Sequence, residues 1–289
     1  MKKLLVFLLA LVLALSLCCM AAAENVTYPS RGETIFATLE LPEGDGPFPL
    51  VVLAHGHGGS RDENVGFGAI AEALKAHGIA SIRMDFPGCG ESTESFEMNT
   101  LDNMKEDVLS AISFALENPA LDPAKVGLFG YSMGGRLALE LTAQAAYDFS
   151  ALVLLAPANS TEDMKRLFGG TENWDVLQAT AIENGFANFT TIYGQEQELS
   201  RTWFENLLVM EDPAGEVAAL YSEPVLVIYG TDDEAVAPAV SEAVAQALAA
   251  PTLDATGDGH SYGFYSDKTD VLRTVAQGAA DFFATAFGE

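Results

Sequence analysis

The chain has 289 residues, 14 of them Lys or Arg against 41 Asp or Glu, for a formal net charge of −27. A surface so acidic repels polyanions, which argues against nucleic acid or an anionic membrane as a partner. At this length a sizeable core can form without staples, and the cysteine pattern agrees: Cys18 and Cys19 lie in an N-terminal apolar run, leaving Cys89 alone and no internal disulfide.

Lys2 and Lys3 precede a 14-residue run from Leu4 to Leu17, apolar except for Ser16, followed by Ala21-Ala22-Ala23. That is the layout of a secretory signal peptide, so residues 1–23 are expected to be a leader and the protein secreted or periplasmic. The run falls short of the roughly 20 residues a spanning helix needs, so no stable membrane association is expected once the leader is removed. The alternating segment 33-ETIFATLELP-42 reads as an antiparallel strand. Continuous apolar runs then alternate with amphipathic stretches. Pro49–Ala54 is a buried strand and Val65–His77 a helix ended by Gly78. Ile79–Phe86 is a strand, and Leu101, Met104, Val108, Ile112 and Ala115 mark a helix. Strand Val126–Gly130, helix Gly134–Ala146 and strand Ala151–Ala156 follow. After a break come strand Val225–Tyr229, the helix 238-PAVSEAVAQALAA-250 and a last helix over about Asp270–Phe287. This rhythm predicts an α/β protein, with a mostly parallel sheet covered by helices on both faces.

The break is 68 residues long, between Ala156 and Val225, and carries eight large aromatics, among them Trp174, Tyr193 and Trp203. A bare loop of that length does not fit a compact domain. A mainly helical cap is therefore expected over 158–223, inserted after the sixth strand, with the core formed by 24–157 and 224–289.

The chemistry is announced by 126-VGLFGYSMGGRLALE-140, which holds the pentapeptide Gly130-Tyr131-Ser132-Met133-Gly134. G-x-S-x-G alone is a weak signal. Here an apolar strand runs straight into it and a helical pattern leaves it. That context places Ser132 on a sharp strand-to-helix turn, its hydroxyl exposed at the carboxyl edge of the sheet. A serine hydroxyl needs a base, and the base an orienting acid. In this kind of site the order along the chain is serine, acid, histidine. Of four histidines only His260, in 257-GDGHSYGF-264, follows Ser132. The acid lies among Asp232, Asp233 and Glu234 in 228-IYGTDDEAVAP-238, with Asp233 favoured and Asp232 second.

These stretches, together with 54-AHGHGGSRDEN-64, 79-IASIRMDFPGCGES-92 and 153-VLLAPA-158, resemble the α/β-hydrolase superfamily, and within it the cinnamoyl (feruloyl) esterase group, over roughly residues 33–285. The resemblance implies an α/β-hydrolase fold. It points to Asp233 as the acid, three residues after Gly230 and followed by Val236 and Pro238. It also implies an oxyanion hole from the backbone N–H groups of Met133 and His57. Asp163, Trp174, Tyr193 and Trp203 of the cap are candidate substrate contacts. The chain departs from the group in Tyr131 and Met133 on either side of the serine, and in Gly88-Cys89-Gly90.

His55-Gly56-His57 also has the look of a metal clamp. A hydrolytic zinc site takes three or more protein ligands, and Gly58, Gly59 and Ser60 offer none, so no metal and no cofactor is expected. His55 then orients the loop. Cys89, with no histidine placed to activate it, is a packing residue. The reading is an exported carboxylic ester hydrolase acting through an acyl-serine on small-molecule esters, feruloyl (plant-wall) or short-chain. A serine peptidase or amidase would use the same parts, and a non-catalytic binding protein is the distant alternative. Oligomeric state is not written in the sequence.

Overall fold

The computed structural model describes residues 23–191 and 194–289; the presumed leader lies outside the described residues apart from Ala23. Ten strands are described: β1 Glu24–Ser30, β2 Glu33–Glu40, β3 Phe48–Ala54, β4 Ala80–Met84, β5 Leu121–Tyr131, β6 Ala151–Leu155, β7 Phe186–Thr190, β8 Glu196–Ser200, β9 Val225–Tyr229 and β10 Thr252–Asp254. The helices are α1 Gly66–Ala76, α2 Leu101–Ala115, α3 Met133–Ala143, α4 Thr161–Leu167, α5 Thr171–Asn184, α6 Arg201–Val209, α7 Pro213–Leu220, α8 Pro238–Ala247 and α9 Thr269–Phe287.

Eight strands form one sheet in the order β1-β2-β4-β3-β5-β6-β9-β10. β2 pairs antiparallel with both β1 and β4, and every later pairing is parallel. The reason is visible in β3. Val51, Val52, Leu53 and Ala54 are all fully buried, and successive side chains point to opposite faces, so both faces must be covered. Helices supply that cover. α1 packs on α9, while α3 packs on α2 and α7.

Three strands escaped the sequence reading. β1 is an edge strand that carries Pro29, a residue that weakens any strand signal but is tolerated where only one side pairs. β7 and β8 form an antiparallel hairpin inside the insertion, which otherwise consists of α4 to α7. The mainly helical character stands, with a two-stranded sheet added.

The parallel sheet fixes where the site can be. The carboxyl ends of β3, β5, β9 and β10 lie along one edge, and the loops that leave them carry His55–Gly59, Ser132, Asp233 and His260. In open α/β sheets that edge is where ligands bind.

Candidate active site

Ser132 sits between β5 and α3 with φ 54° and ψ −113°, a strained backbone for a residue with a side chain. Tight packing forces the turn. A Cβ on Gly130 would lie 2.3 Å from the Gly134 carbonyl oxygen, and one on Gly134 only 2.0 Å from that of Ala54. The same close approach brings the loop after β3 against the serine turn. The Ser132 N–H donates to the Leu155 carbonyl at 2.9 Å, tying the turn to β6.

His260 Nδ1–H donates to Asp233 Oδ2 at 2.7 Å, which leaves Nε2 to accept the Ser132 hydroxyl at 3.0 Å. The Asp233 side chain is fully buried. Its Oδ1 accepts the N–H groups of Ala235 and Val236, both at 2.9 Å, and its Oδ2 also accepts the Tyr262 hydroxyl at 2.7 Å. Burial alone would raise this carboxyl; the bonds from His260, Tyr262 and Val236 outweigh it and hold the group below the usual carboxylate range. Tyr262, pushed up by burial and by Asp233 itself, stays a neutral donor.

Asp232 has a different task. Its carboxylate accepts the N–H of Gly257 at 3.1 Å and of Gly259 at 3.1 Å, bracing the loop that presents His260. The Tyr131 hydroxyl donates to the His260 carbonyl at 2.5 Å and supports the same loop from the other side. A serine hydroxyl in this arrangement can pass its proton to the imidazole as it attacks, and the carboxylate steadies the charged ring.

Both nitrogens of His55 are engaged. Nδ1–H donates to the Gly56 carbonyl at 2.7 Å, and Nε2 accepts the Phe86 N–H at 3.1 Å, so neither is open to a metal. Burial lowers this imidazole to about 4 and keeps it neutral. His57 is also lowered to about 4 by burial. Its Nε2–H donates to Gln197 Oε1 at 2.8 Å, and its ring stands edge-on to Phe96 and Phe168. Among the described residues no three His, Cys, Asp or Glu side chains converge as a metal site. Cys89 is buried, and its thiol is pushed up to about 12 by burial, too high for a nucleophile at neutral pH.

A cavity of about 420 Å³ opens onto Ser132 and His260. Gly56 to Gly59 line it on one side, and Leu167, Phe168 and Phe189 of the insertion also line it.

Residues 51–274 match the alpha/beta hydrolase family. The chain belongs to that family. Over 254 residues it is 26% identical to an uncharacterised 31.7 kDa protein from the traX-finO intergenic region of Escherichia coli, across 80% of this chain and 88% of that one. A stretch of 124 residues, 41% of this chain and 29% of the relative, is 32% identical to the esterase EstD of Thermotoga maritima. In three dimensions the chain is similar to Est1E of Butyrivibrio proteoclasticus, solved with ferulic acid bound. The TM-score is 0.75 over 91% of this chain and 100% of that one, at 23% identity, a likeness of fold.

Within this alpha/beta hydrolase, Ser132, Asp233, His260 and His57 meet at one place, with Met133 opening α3 beside them. Trp174 and Trp203 do not line the cavity. They are 1% and 2% exposed and pack on each other, on Phe168 and on Phe204, because the insertion needs a core of its own. Tyr193 lies outside the described residues, as does the side chain of Asp163. The cavity also takes residues that sequence reasoning did not single out, namely Glu63, Gln195 and Tyr265. The only signal for Glu63 was its place in the quoted stretch after β3; Gln195 and Tyr265 gave none.

Proposed function

We propose that this alpha/beta hydrolase is an exported carboxylic ester hydrolase that works through Ser132, His260 and Asp233. The observation that carries the reading is the continuous relay from Asp233 Oδ2 through His260 to Ser132 Oγ, with links of 2.7 and 3.0 Å, facing a cavity.

In this reading Ser132 Oγ attacks the ester carbonyl carbon and gives its proton to His260 Nε2. The carbonyl oxygen becomes an oxyanion held by the N–H groups of His57 and Met133, each contributing about 3 kcal/mol to lowering the barrier. The imidazolium, oriented by Asp233, returns the proton to the leaving alcohol. Water then attacks the acyl-serine by the same route and releases the acid. Every step uses groups of the chain itself.

The acyl group is proposed to lie against the aromatic wall of the insertion, so 158–223 acts as a cap that reads the substrate. Aromatic acyl esters of the feruloyl or cinnamoyl kind, and short-chain acyl esters, fit that chemistry. The esterase relative and the ferulic acid bound to Est1E support the choice. Export through residues 1–23 would bring the enzyme to plant-wall esters.

The test is Ser132→Ala, assayed on aryl esters, on matched aminoacyl amides and with a fluorophosphonate probe. Ester turnover should fall by at least about 10⁴-fold and labelling should vanish. Ester turnover surviving the substitution would sink the mechanism. Faster cleavage of the amide by the unaltered protein would replace esterase by amidase.

A further inference from the structure

Glu63 is a buried carboxyl with no part in the steps above. It is 1% exposed, yet it borders the cavity. The backbone bends to put it there, since Glu63 and Asn64 adopt φ of 41° and 56°, conformations unusual for residues with side chains. Such local strain persists only where surrounding contacts over-determine it.

Those contacts run in two directions. On one side Oε1 accepts the Gly56 N–H at 2.8 Å. The loop wraps so closely that a Cβ on Gly59 would lie 2.2 Å from the same oxygen. On the other side Oε2 accepts the Tyr265 hydroxyl. Beside it, Asn64 Nδ2 donates to the Phe264 carbonyl at 2.7 Å. Residues 63–64 therefore touch both the loop that holds His57 and the segment that follows His260. Burial pushes the Glu63 carboxyl up, toward its neutral form. A carboxyl nearer neutrality sets less negative charge beside a developing oxyanion.

We propose that Glu63, with Tyr265 as its partner, is a positioning residue that fixes the oxyanion loop at residues 56–59 relative to the loop of His260. The proposal rests on the esterase reading above. Donor placement matters steeply, since a displacement of about 1 Å at a reacting centre lowers the rate by about 10²-fold.

The experiment measures kcat and KM on a p-nitrophenyl ester and the Ki of a trifluoromethyl ketone, whose adduct with serine carries an oxyanion. Glu63→Ala should lower kcat by about 30-fold with KM within about threefold, and weaken the ketone by a factor matching the loss in kcat/KM. Glu63→Gln keeps an acceptor for Gly56 and a polar partner for Tyr265, so it should stay within about fivefold of wild type. Tyr265→Phe removes only a hydroxyl from a side chain that is 56% exposed, and should lower kcat about fivefold.

An unchanged kcat in folded Glu63→Ala, a loss confined to KM, or a loss that Glu63→Gln does not restore would overturn the proposal. If Glu63→Ala does not fold, Tyr265→Phe decides, and full activity there overturns it. A wild type inert to both esters and a fluorophosphonate would overturn the esterase reading and this inference with it. An active wild type with insensitive variants overturns the inference alone.

Discussion

Around Ser132 the chain has almost no freedom. Gly130 and Gly134 are hemmed in by backbone atoms, and a methyl on Gly135 would lie 2.8 Å from Pro157 Cα. The insertion between β6 and β9 is built otherwise. Its interior is a cluster of aromatic rings, Phe168, Trp174, Trp203 and Phe204, at centroid distances of 4.9 to 5.8 Å. Rings at such distances can be exchanged for others of similar volume with little harm. Backbone pressed against backbone cannot. The end of the molecule proposed to break the bond is thus rigid in its residues, and the end facing the acyl group is open to variation.

The two regions are joined by Arg136, on the helix that Ser132 opens. This guanidinium is fully buried. It donates to the carbonyls of Asn159 at 2.6 Å, Leu207 at 3.2 Å and Met210 at 2.6 Å, all in the insertion, and to Glu140 at 3.0 Å in its own helix. Arg136→Met would take this donor from the Asn159 and Met210 carbonyls, leave the Leu207 carbonyl with the Thr161 hydroxyl alone, and leave Glu140 with Lys105 at 3.3 Å as its remaining cation. Removing one partner of a buried pair costs about 3–5 kcal/mol. Urea unfolding should show that loss, and the insertion should become the first region to exchange amide hydrogens. A variant as stable as wild type would mean the two regions hold together without this residue.

How much of this was legible follows the same division. The sheet could be read because both of its faces are buried, which leaves unbroken apolar runs such as 50-LVVLA-54. The serine turn could be read because close packing demands glycine at particular positions, and His260 because the order of groups left no other. Asp232 and Asp233 were separated by the family resemblance, which pointed to Asp233, and not by spacing alone. Both are acids in one turn, and only the fold shows that Asp232 caps the N–H groups of Gly257 and Gly259 while Asp233 meets the imidazole. The cap residues were illegible for a plain reason. A tryptophan that fills a core and one that lines a cavity look alike in sequence, and Trp174 and Trp203 turned out to fill the core. Phe168 and Phe189 line the cavity instead. Glu63 was hidden because a charged residue in a loop usually faces solvent.

A second test concerns the rigid region alone. His55 is neutral in the fold, its imidazole lowered from 6.5 to about 4 by burial. The unfolded chain binds a proton at about pH 6.5, the folded one only near pH 4, so the unfolded state holds more protons between those values. The stabilisation from His55 is therefore fully present above pH 6.5 and lost as the pH falls toward 4. Between pH 7 and pH 5 the loss is about 2 kcal/mol. His55→Gln cannot titrate, so its stability should fall by that much less over the same range. His57 titrates in both proteins, though in His55→Gln it does so without the His55 charge that helps to lower it. Parallel stability curves for the two proteins would mean that His55 takes up its proton in the fold at the same pH as in the unfolded chain.

The smallest effect is expected in the variable region, and it bears most directly on substrate choice. Phe189 stands on β7, half-buried, with its ring 4.8 Å from that of Phe168, and lines the cavity. An aromatic acyl group against this wall would gain both apolar burial and ring contact. Ring pairs add about 0.5–1.5 kcal/mol beyond the area they bury. Phe189→Ala should therefore raise KM for a feruloyl ester by about tenfold, which corresponds to about 1.4 kcal/mol. An acetyl ester carries no ring to pair with Phe189, so its kcat and KM should both stay within about twofold. The contrast between the two substrates carries the conclusion, because a general loss of folded enzyme would depress both. If the acetyl ester suffers as much as the feruloyl ester, Phe189 supports the site as a whole and the acyl group lies elsewhere. If neither changes, the aromatic wall is only the lining of the insertion's own core, and substrate choice rests with the loops at the sheet edge.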